Sequence, residues 1–552
     1  MKKMRKLQKI AALGLAGLLS CSTLAACVPA GDLHKDKTHL NIKVFNGGLG
    51  FAWLQELANK FMDTFKDVSF EEGKKGVYIA LTPNKEFTNL ASNVAVGADS
   101  EDIYYTSDCN FWTYKEAGVT YDVTNIMTAD VYDEDGFVKL NPEGDGWETQ
   151  SNSIADRITS EHTATRLNLG TEETPEYCAL PFDDSTAGII VDWDLFKKEG
   201  WNNYNGIDGM PATISEFYDL LNRIRKRGYS AFIYATGVQY TRVIQAAVQA
   251  QVDGSELYYD LFSDYTSDKY DFNQDGTISE DEKITPETAY KILDTRGYRA
   301  AIEMALKMFE KNSSGKTFYD PAVVSGVSFG AAQQDFIMSK ETSQPIAMLC
   351  EGEWWENEAR ATFNAMGEVN EANGYGKREF RMMPIPSFNS TNEEQKYTLG
   401  AWTGGAITFV NEKTVANNAA KQRLAELWLQ YQYSTEGLKC FSRHSGATLP
   451  FDYDLTDAEK QELTPFARNL FDLRRDDRIE VIYNGVSIQS EQLRRGAEKL
   501  NFCTYQGGNY TTTLFNIALK LTKDGKKISV NQYIEGMHTY QDAKIKAAYP
   551  AN

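Results

Sequence analysis

Two hydrophobic periodicities alternate along the first hundred residues of this chain. Apolar side chains occupy every second position over residues 40–44, which predicts a strand. The apolar residues that follow recur at helical spacing: Trp53, Leu54, Leu57, Ala58, Phe61, Met62 and Phe65. Residues 77–81 and 102–105 are again typical of strands, with a helical stretch at 87–96 between them. Strands that alternate with helices predict βαβ units and a largely parallel sheet.

The same alternation continues to the C-terminal part. Short apolar runs at 189–191, 345–349 and 406–410 indicate buried strands. Residues 211–226 begin with a proline and continue at helical spacing, and residues 419–433 are also predicted to be helical. The last hundred residues are expected to be mainly helical. The fold class predicted from these patterns is α/β.

The first 26 residues have the features of a secretory signal. Five basic residues precede a short apolar run at 10–19, which is too short to span a bilayer. Leu24-Ala-Ala-Cys27 follows and resembles the lipobox of bacterial lipoproteins, in which the cysteine becomes the lipidated first residue. We therefore predict a signal peptide at 1–26, lipidation at Cys27, a polar tether at 27–39, and a location on the extracytoplasmic face of the cell membrane. An uncleaved anchor or a plain secretion signal is the alternative.

Charge excludes one class of partner. The 552 residues have a net charge of −20, and removing the five basic residues of the signal takes this to −25. A nucleic-acid partner is excluded, since phosphate binding needs clustered Lys and Arg. Attachment to the membrane is expected through lipid only, because no second apolar run of 18 residues exists.

The cysteines and histidines give no metal or disulfide pattern. Beyond Cys21 and Cys27, five cysteines are widely spaced without a Cys-x-x-Cys motif, which favours buried free thiols. The five histidines have no ligand spacing among them, so we expect no zinc site.

Residues 271–282 match the twelve-residue EF-hand calcium loop. The predicted ligands are Asp271, Asn273, Asp275, Thr277 and Glu282. Gly276 stands at the sixth position, where the loop turns sharply. A solvated acidic loop is the alternative. Because only one such loop exists, we expect a structural Ca²⁺ rather than a calcium sensor.

Several ordered motifs resemble one family. The segments are Gly118-Val-Thr-Tyr-Asp122-Val-Thr124, Ala179-Leu-Pro-Phe182, Pro211-Ala-Thr-Ile-Ser-Glu-Phe217, Ala347-Met348 with Gly352-Glu-Trp354, and Gly404-Gly405-Ala406. Together with the lipobox they resemble the carbohydrate-binding family 1 of extracellular solute-binding proteins of ABC transporters. Two positions depart from the family pattern: Asp192-Trp193 replaces Tyr-Asn, and Ile214 replaces Trp.

The resemblance implies a two-lobed, clamshell-like α/β fold of the periplasmic-binding-protein type, with discontinuous lobes joined by hinge strands. We expect residues 40–182 and 387–448 in the N-terminal lobe and 183–386 and 449–552 in the C-terminal lobe. The crossovers are expected near 181–185 and 384–386. The implied function is capture of a carbohydrate by a monomer that delivers it to the permease subunits. The chain's extra length favours an oligosaccharide as the ligand.

Aromatic faces stack on sugar rings, and charged or amide side chains bind the hydroxyl groups. By position in the family, the implied ligand-binding residues are Trp354, Trp355, Trp402, Asp183, Asp184, Tyr105, Ser107, Asp108, Asn46, Gly47, Gly48, Asn509 and Tyr510.

Two other functions stay open. One is a surface lipoprotein that binds glycans or adheres through calcium without transport. The other is a secreted glycan hydrolase, against which stands the lack of a Gly-x-Ser-x-Gly or His-Glu-x-x-His motif. We therefore predict no catalytic residues and no enzymatic activity.

Overall fold

The computed structural model describes residues 34–107, 111–129, 153–159, 163–164, 167–183, 185–237, 240–263, 266–388, 397–402, 406–484, 504–505, 510–511 and 513–538. The predicted signal peptide and Cys27 lie outside these residues. Within them, no helix combines the length and apolar character needed to cross a membrane.

The secondary structure is mixed along the whole chain. The strands are β1 (Thr38–Phe45), β2 (Val77–Asn84), β3 (Ile103–Tyr105), β4 (Leu180–Asp183), β5 (Thr186–Asp192), β6 (Ser230–Tyr234), β7 (Ile346–Gly352), β8 (Phe380–Met383), β9 (Tyr397–Trp402), β10 (Ala406–Val410), β11 (Ile479–Asn484), β12 (Thr504–Tyr505) and β13 (Tyr510–Thr511). The α-helices are α1 (Ala52–Thr64), α2 (Leu90–Ala95), α3 (Phe111–Glu116), α4 (Thr124–Thr128), α5 (Trp193–Glu199), α6 (Ile214–Lys226), α7 (Thr241–Asp253), α8 (Ser255–Ser263), α9 (Arg296–Met308), α10 (Phe329–Ser339), α11 (Trp355–Glu358), α12 (Arg360–Val369), α13 (Glu412–Val415), α14 (Ala419–Gln432), α15 (Thr435–Ser445), α16 (Asp457–Glu462), α17 (Pro465–Leu473) and α18 (Leu514–Lys523).

The chain divides into two compact units, each built from three segments. Unit 1 comprises Met1–Ser185, Glu356–Tyr375 and Thr403–Arg468. Unit 2 comprises Thr186–Trp355, Gly376–Trp402 and Asn469–Asn552.

These bounds differ from the predicted lobes in three segments: residues 356–375 and 449–468 belong to unit 1, and residues 387–402 belong to unit 2. The first crossing follows Ser185, next to the expected 181–185, but residues 384–386 lie inside unit 2. Residues 356–375 return to unit 1, because Glu356 accepts a hydrogen bond from Thr464 and Asn357 donates to Gly48 O, and both partners belong to unit 1.

Unit 1 is built on a five-stranded sheet in the order β2-β1-β3-β10-β4. Strands β1, β2 and β3 are parallel, as the alternating pattern predicts, and β10 runs antiparallel to β3 and β4. The apolar face of α1 is buried at Trp53, Leu57 and Phe61. Ring contacts join Trp53 to Phe182 and Phe441 at centroid distances of 5.9 and 5.2 Å.

Unit 2 is built on a sheet in the order β11-β9-β5-β7-β6, with β8 paired to β5. Strands β5 and β7 are buried at every position, which explains their continuous apolar sequence. Helix α7 packs closely on this sheet: a Cβ at Gly400 would lie only 2.3 Å from the Val243 side chain. Thr398 Oγ1 donates to Ala247 O at 2.9 Å, which secures the same contact.

The strands predicted from short apolar runs are all present, and so are the helices predicted at 211–226 and 419–433. The helix expected over 87–96 is shorter, since it begins at Leu90. The last hundred residues are not only helical, because β11 pairs in parallel with β9. β11 lies at the edge of its sheet, where Ile482 and Tyr483 are buried, and a local pattern does not reveal its pairing with β9.

Candidate functional site

One edge of the unit 1 sheet collects several of the predicted residues. Because β1, β3 and β4 run in the same direction, their carboxyl ends lie at a common edge, here called the unit 1 edge. Asn46, Gly47 and Gly48 follow β1, Ser107 lies two residues beyond β3, and Asp183 ends β4. Ligands of α/β proteins bind at such edges.

The glycine turn after β1 has a defined geometry. Gly50 N donates to Gly47 O at 3.0 Å, and Gly50 has a φ of +66°, in the left-handed region. A Cβ at Gly47 would lie 2.3 Å from the Phe45 ring, so the turn requires glycine there. Asn357 Nδ2 donates to Gly48 O at 2.6 Å, which attaches α11 to the turn.

Tyr105 is a core residue. Its side chain is fully buried, and its hydroxyl donates to Gln432 Oε1 and accepts from Trp428 Nε1, both at 2.8 Å. Because both hydrogen bonds are internal to unit 1, Tyr105 is not included in the site proposed below.

The corresponding edge of unit 2 carries an aromatic pair. Strands β6, β7, β9 and β11 all end at this edge, here called the unit 2 edge, because each runs antiparallel to β5 or parallel to a strand that does. Trp354 follows β7, Tyr240 follows β6, and their ring centroids are 5.1 Å apart with planes at 66°. Both side chains are half-buried.

Gly352 allows the Trp354 indole to lie against the backbone. A Cβ at this position would come within 2.3 Å of the indole ring. The Gly-x-Trp spacing noted in the sequence therefore has a steric reason.

Glu353 attaches the turn after β7 to the start of β5. Thr186 N donates to Glu353 Oε2 at 3.0 Å, and Glu353 N donates to Thr186 O at 2.8 Å. Arg474 Nη1 donates to Thr186 Oγ1 at 2.6 Å and lies 3.9 Å from Glu353 Oε2. This network makes Glu353 a positioning residue for Trp354.

Trp355 differs from its neighbour in sequence. Its indole is fully buried and contacts Phe380 and Phe336 at centroid distances of 4.9 and 5.7 Å. Glu351 and Glu353 in the preceding turn are buried as well, although their charge would favour exposure. Trp355 is therefore a core residue and is left out of the site proposed below.

Two residues that sequence reasoning missed belong to the unit 2 edge. Tyr240 is the partner of Trp354, and Arg242 lies in the first turn of α7, directly after it. The buried Nε of Arg242 has no hydrogen-bond partner among the residues that the structure describes. An aromatic residue and an arginine six and eight residues after a buried strand were the available signal.

The other predicted ligand residues stay predictions. Trp402 ends β9, Asp183 ends β4 and Tyr510 begins β13, and only their backbones are described. The remaining three, Asp108, Asp184 and Asn509, lie outside the described residues.

The EF-hand-like segment folds its acidic side chains onto its own backbone. Asp271 accepts hydrogen bonds from Gln274 N at 2.5 Å and Gly276 N at 2.8 Å. Gly276 has a φ of +84°, as the sharp turn at the sixth position requires. Asn273 Oδ1 accepts from Asp275 N at 2.9 Å, so the first, third and fifth ligand positions share one turn.

Glu282 closes this loop from its last position. Its Oε1 accepts from Asn273 N at 3.0 Å, and its Oε2 accepts from Ser279 N at 3.0 Å and Ser279 Oγ at 2.7 Å. The hydrogen bonds from Ser279 lower the pKa of Glu282, and those from Thr277 lower the pKa of Asp275, so both are anionic at neutral pH. The donor set is oxygen-only, which suits a hard cation.

The fold resembles that of solved solute-binding proteins. A probable secreted solute-binding lipoprotein from Streptomyces coelicolor has a TM-score of 0.51 and 12% identity, with 94% of this chain and 100% of that chain covered. A chitin oligosaccharide binding protein has a TM-score of 0.50 and 13% identity, with 92% and 99% covered. The solute-binding protein RafE in complex with raffinose has a TM-score of 0.48 and 12% identity, with 92% and 100% covered.

No protein-family model and no curated protein matches the chain. At this identity the structural likeness shows the fold alone. The predicted two-lobed α/β fold of the solute-binding proteins is confirmed.

Proposed function

We propose that this protein is a carbohydrate-binding solute-binding lipoprotein of an ABC transporter, of the family 1 type. The observation that carries the proposal is the aromatic pair Trp354 and Tyr240 at the unit 2 edge, in a chain with the fold of solute-binding proteins. Half-buried rings at the carboxyl ends of parallel strands suit the apolar face of a sugar.

The polar residues near these edges suit the hydroxyl groups of a sugar. Arg242 supplies guanidinium donors beside the aromatic pair in unit 2. Asn46 and Ser107 supply amide and hydroxyl groups at the unit 1 edge. Charged donors give hydrogen bonds about twice as strong as neutral ones, so Arg242 is expected to contribute most.

We propose that the ligand is released unchanged. The two structural neighbours with TM-scores of 0.51 and 0.50 are named as binding proteins. One of them is a chitin oligosaccharide binding protein. An oligosaccharide is accordingly the proposed ligand class, and the permease subunits are the proposed partners of a monomeric receptor.

A structural Ca²⁺ is part of the proposal. Asp271, Asn273, Asp275 and Glu282 would hold it through side-chain oxygens, and Thr277 through its backbone carbonyl. The fit is supported by the way these side chains converge on one turn. The ion would supply charge compensation to an exposed acidic loop.

The proposal is tested by calorimetric titration of the mature protein with chitin-type, raffinose-type and uronic-acid oligosaccharides. We expect saturable binding of one of them near micromolar affinity, about −8 kcal/mol, which permits later release. Chromatography of the recovered sugar should show no new reducing ends. Reproducible cleavage, or no binding in the whole panel, would contradict the receptor function.

A non-transporting surface lipoprotein would bind the same sugar. Uptake of labelled ligand in cells that lack the protein distinguishes the two, because only a transport receptor changes the uptake rate at low sugar concentration.

A further inference from the structure

We propose that Glu56, Cys440 and His444 form a binding site for Zn²⁺ or a similar borderline transition-metal ion between α1 and α15 of unit 1. The carboxylate, thiol and imidazole donor atoms all lie within 4.8 Å of one another. This site uses none of the residues of the EF-hand-like loop or of the two sheet edges, and it does not depend on the proposed sugar-binding function.

The two helices are already joined at this point. Cys440 and His444 are four residues apart and therefore lie on one face of α15. Trp53 and Phe441 pack edge to face at 5.2 Å, and Cys440 Sγ donates to Trp53 O at 3.7 Å. Glu56 lies one helical turn beyond Trp53 on α1, so the packing brings the carboxylate to the Cys-His face.

The donor separations, 2.7 Å for one pair and at most 4.8 Å for the others, bracket those of a zinc site. His444 Nε2 and Glu56 Oε2 are 2.7 Å apart, linked by a hydrogen bond. Zinc bonds of about 2.0 Å to oxygen and nitrogen and 2.3 Å to sulfur place the donors about 3.3–3.6 Å apart. Zn²⁺ would replace the proton shared by His444 and Glu56 if their donor atoms moved apart by less than about 1 Å. A water molecule would be the fourth ligand.

The charges around Glu56 leave one oxygen for the metal. Lys60 Nζ and Arg443 Nη2 approach Glu56 Oε1 at 3.1 and 3.6 Å, whereas Oε2 faces His444. Lys60 Nζ also lies 2.6 Å from Glu436 Oε1, so a second carboxylate compensates the charge of Lys60.

The same three residue types occur in cysteine hydrolases, but this arrangement does not suit a nucleophile. Cys440 is fully buried, and burial raises the pKa of its thiol to about 12. An attacking thiolate is therefore scarce at neutral pH. Zn²⁺ would instead bind the Cys440 sulfur and displace the thiol proton to solvent. Glu56 and His444 are each 34% exposed, so the ion can reach the site from solvent.

The test is a titration of tag-free, chelator-treated mature protein with Zn²⁺ and, separately, Co²⁺, in excess Ca²⁺ so that the loop at 271–282 does not compete. We expect single-site Zn²⁺ binding, a rise in melting temperature, and a thiolate-to-cobalt charge-transfer band in the near ultraviolet. Cys440→Ser should abolish the band and weaken Zn²⁺ binding at least about 10-fold, the lower range for disturbed metal sites.

Two matched variants make the result specific. Cys178→Ser removes another buried thiol of unit 1, and His538→Ala removes a histidine that contacts Asp294 at 3.0 Å; both should keep the band and the affinity. If Cys440→Ser does not fold, judged from its metal-free melting curve, His444→Gln at the partly exposed position replaces it. A cobalt band that survives in Cys440→Ser, an unchanged Zn²⁺ affinity in His444→Gln, or no zinc-dependent rise in melting temperature would overturn the proposal.

Discussion

At the scale of single residues, two adjacent tryptophans have different surroundings. Trp354 is half-buried against Gly352 and Tyr240, whereas Trp355 is enclosed by Phe336 and Phe380. Sequence position alone assigned both to the ligand. The tertiary contacts separate a residue available for stacking from one that stabilises the core.

We predict that Trp354→Ala weakens sugar binding by about 5- to 30-fold, because one stacking contact contributes about 1–2 kcal/mol. Calorimetric titration with the sugar identified for the wild type measures this. The circular dichroism spectrum should not change.

The matched variant is Trp355→Ala, which should lower the stability of unit 2 by about 3–5 kcal/mol through the cavity that it leaves. If Trp354→Ala binds the sugar normally while folded, the aromatic pair is not the binding surface.

Glu356 is a second residue with an uncommon setting. Its carboxyl group is buried, and this burial raises its pKa to about 7 despite a hydrogen bond from Thr464. Below the unfolded pKa of about 4.5 both states are protonated and Glu356 adds no pH dependence. As the pH rises to about 7, the unfolded state ionises first, so the folded state loses stability.

We predict that Glu356→Gln removes this loss. The free energy of unfolding of the wild type should fall relative to that of Glu356→Gln between about pH 5 and about pH 8, by at most about 3 kcal/mol. The melting temperature should fall with it. Glu358→Gln, at the half-buried position two residues later, is the control and should follow the wild type. If the stabilities of wild type and Glu356→Gln change in parallel with pH, ionisation of Glu356 does not destabilise the folded state, and the prediction is wrong.

At the scale of elements, the calcium loop shows what a short motif can specify. Asp271 and Glu282 accept backbone N–H groups at 2.5–3.0 Å, so the loop conformation follows from residues that are close in sequence. Ile278 in the same loop is 38% exposed.

We predict that a chelator lowers the melting temperature of unit 2 and that added Ca²⁺ restores it, because the ion binds the folded loop only. Glu282→Gln should remove most of the response, since it removes the charge of the last ligand. Glu280→Gln in the same loop is the control, because Glu280 contacts Lys283 instead. A wild-type melting curve that is identical with and without Ca²⁺ would exclude a structural ion.

At the scale of the whole molecule, the chain combines a strongly acidic composition with an N-terminal lipobox. A mature charge of −25 disfavours contact with anionic lipid, so we propose that attachment is through a lipid at Cys27. We predict that Cys27→Ser prevents lipidation and shifts the protein from the membrane fraction to the medium or the soluble fraction.

Fractionation with radiolabelled fatty acid measures this, and Cys21→Ser, inside the predicted signal peptide, is the control that should remain lipidated. Membrane association of Cys27→Ser that equals the wild type would contradict the lipid anchor.

The sequence by itself determined the features that depend on local patterns. Alternation at 40–44 and helical spacing at 53–65 predicted β1 and α1, because periodicity sets which side of an element is buried. The turn at 271–276 was also readable, since the residues that form it are adjacent in sequence, and calcium binding by this loop stays a prediction. Ordered motifs predicted the two-lobed fold.

Only the tertiary structure decided what depends on distant partners. The pairing of Tyr240 with Trp354, the burial of Trp355, and the joining of β11 to β9 all arise from segments far apart in sequence. Glu56 lies 388 positions from His444, so histidine spacing could not reveal their contact. Periodicity reports which face of an element is buried, whereas the partner of that face is chosen by packing, and packing brings chemical groups together only once the chain has folded.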